Sequence, residues 1–354
     1  MSASARPADA EARILPGLVS GDSHVIEPVD LWDGLLPDGY WGNEQATFSD
    51  RPGGYDPAAR VGEMARDGVV AEVLYPSLAL RLFGLDDAAA QQRCFRRYNE
   101  WMATFVQVAP TQLVGIGLVA AYRMEDAVAE AEWCRAHGLR GVQVWQTPHP
   151  DLPFSGDHYD PLWEACSQLD LPVSMHILSG HGYCKDVFER QALDIAAAGL
   201  SVYRNAVNLK LLAAADALLE LLLSRALDRF PRLRVVFVEN EISWLPFVID
   251  QLDYYVDRLG KRAPTGIGRP PSDYLGRQVF ATFFRDPNAT TTIEGLGAGA
   301  FMWSNDYPHG NSTWPRSRDV IRAGLRSLGD VPLDQVLWRN AAQLYHLDLV
   351  PSGT

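Results

Sequence analysis

Leu113-Val114-Gly115-Ile116-Gly117-Leu118-Val119-Ala120 reads as a short buried strand, a continuous apolar run between turn residues. Met124 to His137 (MEDAVAEAEWCRAH) follows with apolar residues at a helical spacing of about 3.6. Gly141-Val142-Gln143-Val144-Trp145 then resumes the strand pattern. Two strands joined through a helix form a parallel crossover, because a tight turn can only reverse the chain. Working outward, the same alternation recurs. Strand readings precede this unit at Leu18 to Asp22 and Val69 to Tyr75. Others follow it at Pro172 to Ile177, Leu233 to Val238, Val279 to Phe284 and Ala300 to Ser304. Helical readings include Asp160 to Leu169 and one long element, Ala206 to Arg229.

Eight strands alternating with helices predict an α/β fold, a (β/α)8 TIM barrel, rather than an open sheet of similar strand count. Long connections run from Trp32 to Asp67 and from Leu178 to about Arg204, so insertions are expected after strands 1 and 5. The final helix, Leu333 to Tyr345, is expected to cap the barrel. No boundary divides the chain, so residues 1–354 are read as one domain with the barrel proper over 18–346.

With 31 Lys and Arg against 44 Asp and Glu, the net charge of −13 opposes binding to nucleic acid or to anionic membranes. The most apolar helical stretch, Leu211 to Leu227, carries Asp216, Glu220 and Arg225 and makes a poor membrane span. Residues 1–13 lack a signal-like apolar run, and Cys94, Cys134, Cys166 and Cys184 form no CxxC pair. A cytoplasmic enzyme of small molecules fits these features. The aromatic helix Trp244 to Tyr255 is compatible with a homodimer, or with packing on its own barrel.

The chemistry gathers where strands end. Strand 1 closes in Asp22-Ser23-His24, whose first and last side chains share one face of an extended chain. Strand 5 ends in His176, strand 6 in Glu239 and strand 8 in Asp306. Each alone has an ordinary reading as cap, core or turn residue. Together, at the same end of strands that encircle one axis, they form an N/O donor set suited to zinc, manganese or iron.

Four segments carry a family resemblance: Gly21-Asp22-Ser23-His24-Val25-Ile26-Glu27-Pro28, Ser174-Met175-His176, Val238-Glu239 and Trp303-Ser304-Asn305-Asp306-Tyr307-Pro308-His309. They resemble the amidohydrolase-related branch of the amidohydrolase superfamily, which includes aminocarboxymuconate-semialdehyde decarboxylase. The resemblance implies a barrel with one divalent ion, zinc foremost, held by Asp22, His24, His176 and Asp306. Two positions depart from the pattern. Asp22 stands where many members have His or Glu, and Glu239 stands where decarboxylating members carry a histidine that handles protons. Glu239 keeps a proton-handling group with a different charge, or adds a metal ligand.

Two reactions follow. In hydrolysis, Asp306 takes a proton from a water acidified by the ion. In non-oxidative decarboxylation, the ion chelates a small carboxylate and a protonated side chain delivers a proton to carbon. Trp145, Arg285, Tyr307 and His309 are candidate substrate-binding residues, Arg285 as a carboxylate clamp and His309 alternatively as a support for Asp306. An oxygen-activating non-haem iron enzyme and a non-catalytic, metal-stabilised barrel subunit are the competing classes.

Overall fold

The computed structural model describes residues 17–41, 51–181, 207 and 209–348. Among them, eight strands form one sheet in chain order: β1 (Leu18–His24), β2 (Val69–Tyr75), β3 (Leu113–Leu118), β4 (Gly141–Val144), β5 (Val173–His176), β6 (Val235–Val238), β7 (Val279–Phe283) and β8 (Phe301–Trp303). Every neighbouring pair is parallel. The sheet curls until its edges meet, where Asp306 N donates to Asp22 O at 3.1 Å and His24 N to Tyr307 O at 2.6 Å. Gly21 lies at this seam. A Cβ on it would stand 3.0 Å from Met302 Cβ, so a larger residue would press β1 away from β8 by a few tenths of an ångström.

Helices cover the outside: α1 (Pro57–Asp67), α2 (Ala88–Val106), α3 (Met124–Ala136), α4 (Asp160–Leu169), α5 (Ala214–Leu223), α6 (Leu245–Leu259), α7 (Ala289–Leu296) and α8 (Ser317–Gly324). Local chemistry sets their ends. Asp56 caps α1 by accepting from Ala58 N and Ala59 N, and Gly68 ends it at φ 76°. Asp87 caps α2 in the same way. Strand residues facing outward, such as Val142, Val144, Val173 and Met175, pack with the helices in one large core. Inward residues, among them Val19, Val73, Ile116, Val236 and Met302, fill the lumen.

Three expectations shift. β1 extends through Ser23 and His24, with its register against β2 broken between Ser20 and Ser23. The long helix expected to Arg229 is interrupted, because Arg225 adopts a left-handed φ of 63° that ends α5 before a short turn of helix, Ala226–Arg229. The last helical segment starts at Asp330 and runs to Leu344 in three pieces. Most of the expected insertion after strand 5, and residues 42–50 of that after strand 1, lie outside the described residues.

The terminal segment closes the amino end of the barrel. Asn340 donates to Ala298 O and Phe301 O, both at 2.7 Å, beside the start of β8. Tyr345 is fully buried among the lumen residues, with its hydroxyl 3.3 Å from that of Tyr75, which itself pairs with Ser174 at 2.9 Å. Replacing Tyr345 with alanine is expected to lower unfolding free energy by about 3–5 kcal/mol, the usual cost of emptying a buried aromatic site. Urea denaturation measures it, and a loss below about 1 kcal/mol would show that the floor does not depend on this ring.

Candidate metal centre

The carboxyl ends of β1, β5, β6 and β8 bring the expected residues to one point. Asp22, His24, His176 and Glu239 offer ligand atoms within 4.8 Å of one another, and His24, Glu239, Asp306 and His309 form a second, overlapping set. His24 Nε2 lies 3.5 Å from Asp22 Oδ1 and 3.5 Å from Asp306 Oδ1. His176 Nε2 lies 3.6 Å from Asp22 Oδ1 and 3.7 Å from Glu239 Oε2. These gaps are too long for hydrogen bonds. They match the spacing of about 3.4 Å between donors that share a tetrahedral ion at zinc–nitrogen distances.

The unpaired atoms point the same way. Both carboxylate oxygens of Asp22, Nε2 of His24 and His176, and Oδ2 of Asp306 are buried without a hydrogen-bond partner. Buried polar atoms are rarely left so, and five around one centre fit a cation that all of them face. The imidazoles are already turned for it. His24 Nδ1 is 2.8 Å from Pro76 O and His176 Nδ1 is 2.7 Å from Ile177 O. A carbonyl only accepts, so both Nδ1 atoms carry the proton and both Nε2 lone pairs face inward.

Charge reports the same demand. Burial, then the Asp306 carboxylate, pushes Glu239 up to about 7. Burial also raises Asp22 and holds His24 well below its ordinary value. Burial opposes charge on His309 too, but the Asp306 carboxylate outweighs it and lifts the imidazole to about 9. Acids crowded into a dry site resist ionising, and a cation among them reverses that balance. The backbone is bent to make the cluster: Glu239 and Asp306 adopt left-handed φ values of 61° and 54°, uncommon for residues other than glycine.

Beneath the ligands runs a buried polar network. Glu72 pairs with Arg60 at 2.5 Å and accepts from Asn305 Nδ2 at 2.9 Å. Arg60 also donates to His24 O at 2.6 Å and to Gly53 O at 3.1 Å. Asn305 Oδ1 accepts from Ser23 Oγ at 2.7 Å, Ser20 Oγ at 3.1 Å and Tyr307 N at 3.1 Å. The motif reading did not include Arg60 or Glu72. The available signal was Glu72 itself, a charge inside the otherwise apolar strand Val69–Tyr75.

The candidate substrate residues are placed differently. His309 joins the ring, with Nδ1 2.7 Å from Asp306 Oδ1 and Nε2 3.0 Å from Ser77 Oγ. Trp145 is buried and donates to Tyr159 OH at 2.8 Å. Tyr307 is buried, bonds Glu63 through its hydroxyl and lies under the Arg60 guanidinium. Arg285 binds the carbonyls of Asn311 at 2.6 Å and Ser312 at 3.1 Å, tying down the segment after β8. Glu27, left open between supporting His24 and starting a loop, accepts from the backbone N–H groups of Ser77, Leu78 and Ala79.

The amidohydrolase family model matches residues 22–347. This chain belongs to the amidohydrolase family. The match bears out the resemblance read from the motifs and makes the amidohydrolase a metal-dependent hydrolase or carboxy-lyase. Its fold is shared with several solved structures. The 2,6-dihydroxybenzoate decarboxylase from Rhizobium has 19% identity, coverage of 94% of this chain and 99% of that one, and a TM-score of 0.72. The 5-carboxyvanillate decarboxylase from Sphingomonas paucimobilis has 23% identity, 93% and 99% coverage, and a TM-score of 0.69. A dihydroxybenzoic acid decarboxylase from Polaromonas sp. JS666, with bound manganese and the inhibitor 2-nitroresorcinol, has 20% identity, 94% and 98% coverage, and a TM-score of 0.72. No curated protein matches the amidohydrolase. Among its described residues no helix is long and apolar enough to cross a membrane.

Two outcomes test the centre. Elemental analysis of the purified amidohydrolase should find about one transition metal per chain, largely lost in His176→Ala; equal metal in both proteins would sink the assignment. Glu72→Gln strips Arg60 of its buried partner and is expected to cost about 3–5 kcal/mol in stability, read by denaturant unfolding.

Proposed function

We propose that this amidohydrolase hydrolyses a neutral carbonyl compound, an ester, lactone or amide, at a mononuclear metal centre held by Asp22, His24, His176, Asp306 and Glu239. The observation that carries the reading is Glu239, whose Oε2 stands 3.7 Å and 3.9 Å from the Nε2 atoms of His176 and His24. Three carboxylates, two neutral imidazoles, one dication and the charged His309 beside Asp306 sum to about zero in a buried site. No net positive charge is left there to draw in a substrate carboxylate, and a neutral carbonyl needs none. The other cations nearby are engaged: Arg60 with Glu72, Arg285 with backbone carbonyls, and Lys210 with Glu241 at 3.5 Å and with Glu239 O at 2.9 Å.

When bound, the ion supplies positive charge that polarises the carbonyl and acidifies a water. Zinc is the ion we place there first, and manganese or iron suits the same donors. Asp306 takes the proton from the attacking water, with His309 fixing its carboxylate through Oδ1. Glu239, whose carboxylate lies within 4.8 Å of that of Asp306, receives this proton and hands it to the leaving group. We place the enzyme in the cytoplasm, since the described cysteines Cys94, Cys134 and Cys166 are free and buried, as suits a reducing compartment.

Decarboxylation is the second reading. It is favoured by the solved neighbours that act on dihydroxybenzoates and 5-carboxyvanillate, one of them with manganese bound. The deciding experiment offers zinc- and manganese-loaded protein a panel of neutral esters, lactones and amides beside aromatic acids. Product acid from the neutral panel, with kcat falling about 10²- to 10⁴-fold in Glu239→Gln, is expected. Carbon dioxide released from an aromatic acid, with no turnover of the neutral panel, would replace hydrolysis by the second reading.

A further inference from the structure

One buried polar atom outside the metal centre also lacks a partner. Trp303 ends β8, and the alternation that sends Met302 into the lumen turns the Trp303 ring outward, toward the helices. The residue is 1% exposed, and its buried indole N–H meets no acceptor. A buried indole N–H ordinarily finds one, because leaving it bare forfeits the hydrogen bond it made with water.

The Trp303 ring is one wall of a pocket of about 490 Å³ between α7 and α8. That volume falls within the range of small-molecule sites, about 300–1,000 Å³. Phe283, Ile321 and Leu325 make its other walls apolar, and none of the metal ligands lines it. The pocket therefore lies behind the strands, apart from the well in which the ligands meet.

Two charged residues border the pocket, and they differ in the hydrogen bonds still open to them. The Asp286 carboxylate accepts from Ile242 N at 2.9 Å, Ser243 N at 2.7 Å, Asn288 N at 3.0 Å and the Ser243 hydroxyl. Arg285 gives Nε to Asn311 O at 2.6 Å and Nη2 to Ser312 O at 3.1 Å. Those two bonds hold the guanidinium plane and leave Nη1 with no partner among the described residues. A guanidinium already held in this way loses little further freedom when it takes up an anion. With one cation and a carboxylate beside it, the pocket suits a monoanion better than a phosphate dianion.

We propose that this outer pocket binds a small apolar monocarboxylate. The ligand's oxygens accept from Arg285 Nη1 and from the Trp303 indole, and its body lies against Phe283, Ile321 and Leu325.

Isothermal titration calorimetry with phenylacetate on the full chain tests it, with circular dichroism verifying the fold of each variant. The wild type is expected to bind one equivalent with a Kd of about 1 mM or below. Phenylacetone, of similar shape and without the charge, should bind about tenfold or more weakly. The acid should weaken similarly in Arg285→Gln, and in Trp303→Phe, which keeps a ring and loses the N–H. Ala323 stands on the exposed rim of the pocket, so Ala323→Phe should fill the space and abolish binding. His176→Ala, which disables the metal centre, should bind the acid as the wild type does. No measurable binding to the wild type would overturn the proposal. Binding that survives both Arg285→Gln and Ala323→Phe would overturn it equally, and its loss in His176→Ala would put the acid at the metal centre instead.

Discussion

The Arg60–Glu72 pair, buried at the seam where β1 meets β8, is the interaction on which the metal centre rests. Burying two charges is expensive and is repaid only when all their hydrogen-bonding capacity is met. Here it is met by the parts that must be held together: the carbonyls of His24 and Gly53, and the amide of Asn305. Asn305 carries the constraint onward to Ser20, Ser23 and Tyr307, so the segments bearing Asp22, His24 and Asp306 are fixed by one connected set of bonds. Barrel closure and ligand placement are therefore a single problem with a single solution. A loosened seam would open the sheet and scatter the donors together.

Much of this was readable in the chain because the relevant signals are local. Alternating apolar runs and helical periods marked all eight strands, and Val69–Tyr75 and Asp160–Leu169 came out at their observed bounds. Polar residues at strand ends marked Asp22, His24, His176, Glu239 and Asp306, since a barrel turns a shared position along strands into a shared point in space. What escaped was either a matter of backbone hand or of distant partners. Nothing in Leu-Ser-Arg-Ala announces that Arg225 turns left-handed and breaks the helix. Arg285 read as a clamp for a substrate carboxylate, but its partners are carbonyls 26 and 27 residues away along the chain. Long-range pairing of this kind is settled by the packed fold and leaves no periodic trace.

Glu239 shows how one side chain redirects a shared scaffold. The fold, the two inward-facing imidazoles and the strand-8 aspartate constitute a general device for presenting a cation to a carbonyl or carboxylate. An additional acid in that ring lowers the local potential, and its left-handed backbone commits it to the ring. On the hydrolytic reading proposed above, specificity begins with the charge of the cavity before any contact to the rest of a substrate is made.

The floor of the barrel has a kinetic meaning. Tyr345 and the stacked lumen side chains seal the end away from the metal ligands, so the centre sits at the bottom of a blind well. Substrate and product then share the face at the carboxyl ends of the strands. Product departing from such a well stands in the path of the next substrate molecule, and the two exclude each other. In such an arrangement the emptying of the site enters the rate beside the bond that is broken within it.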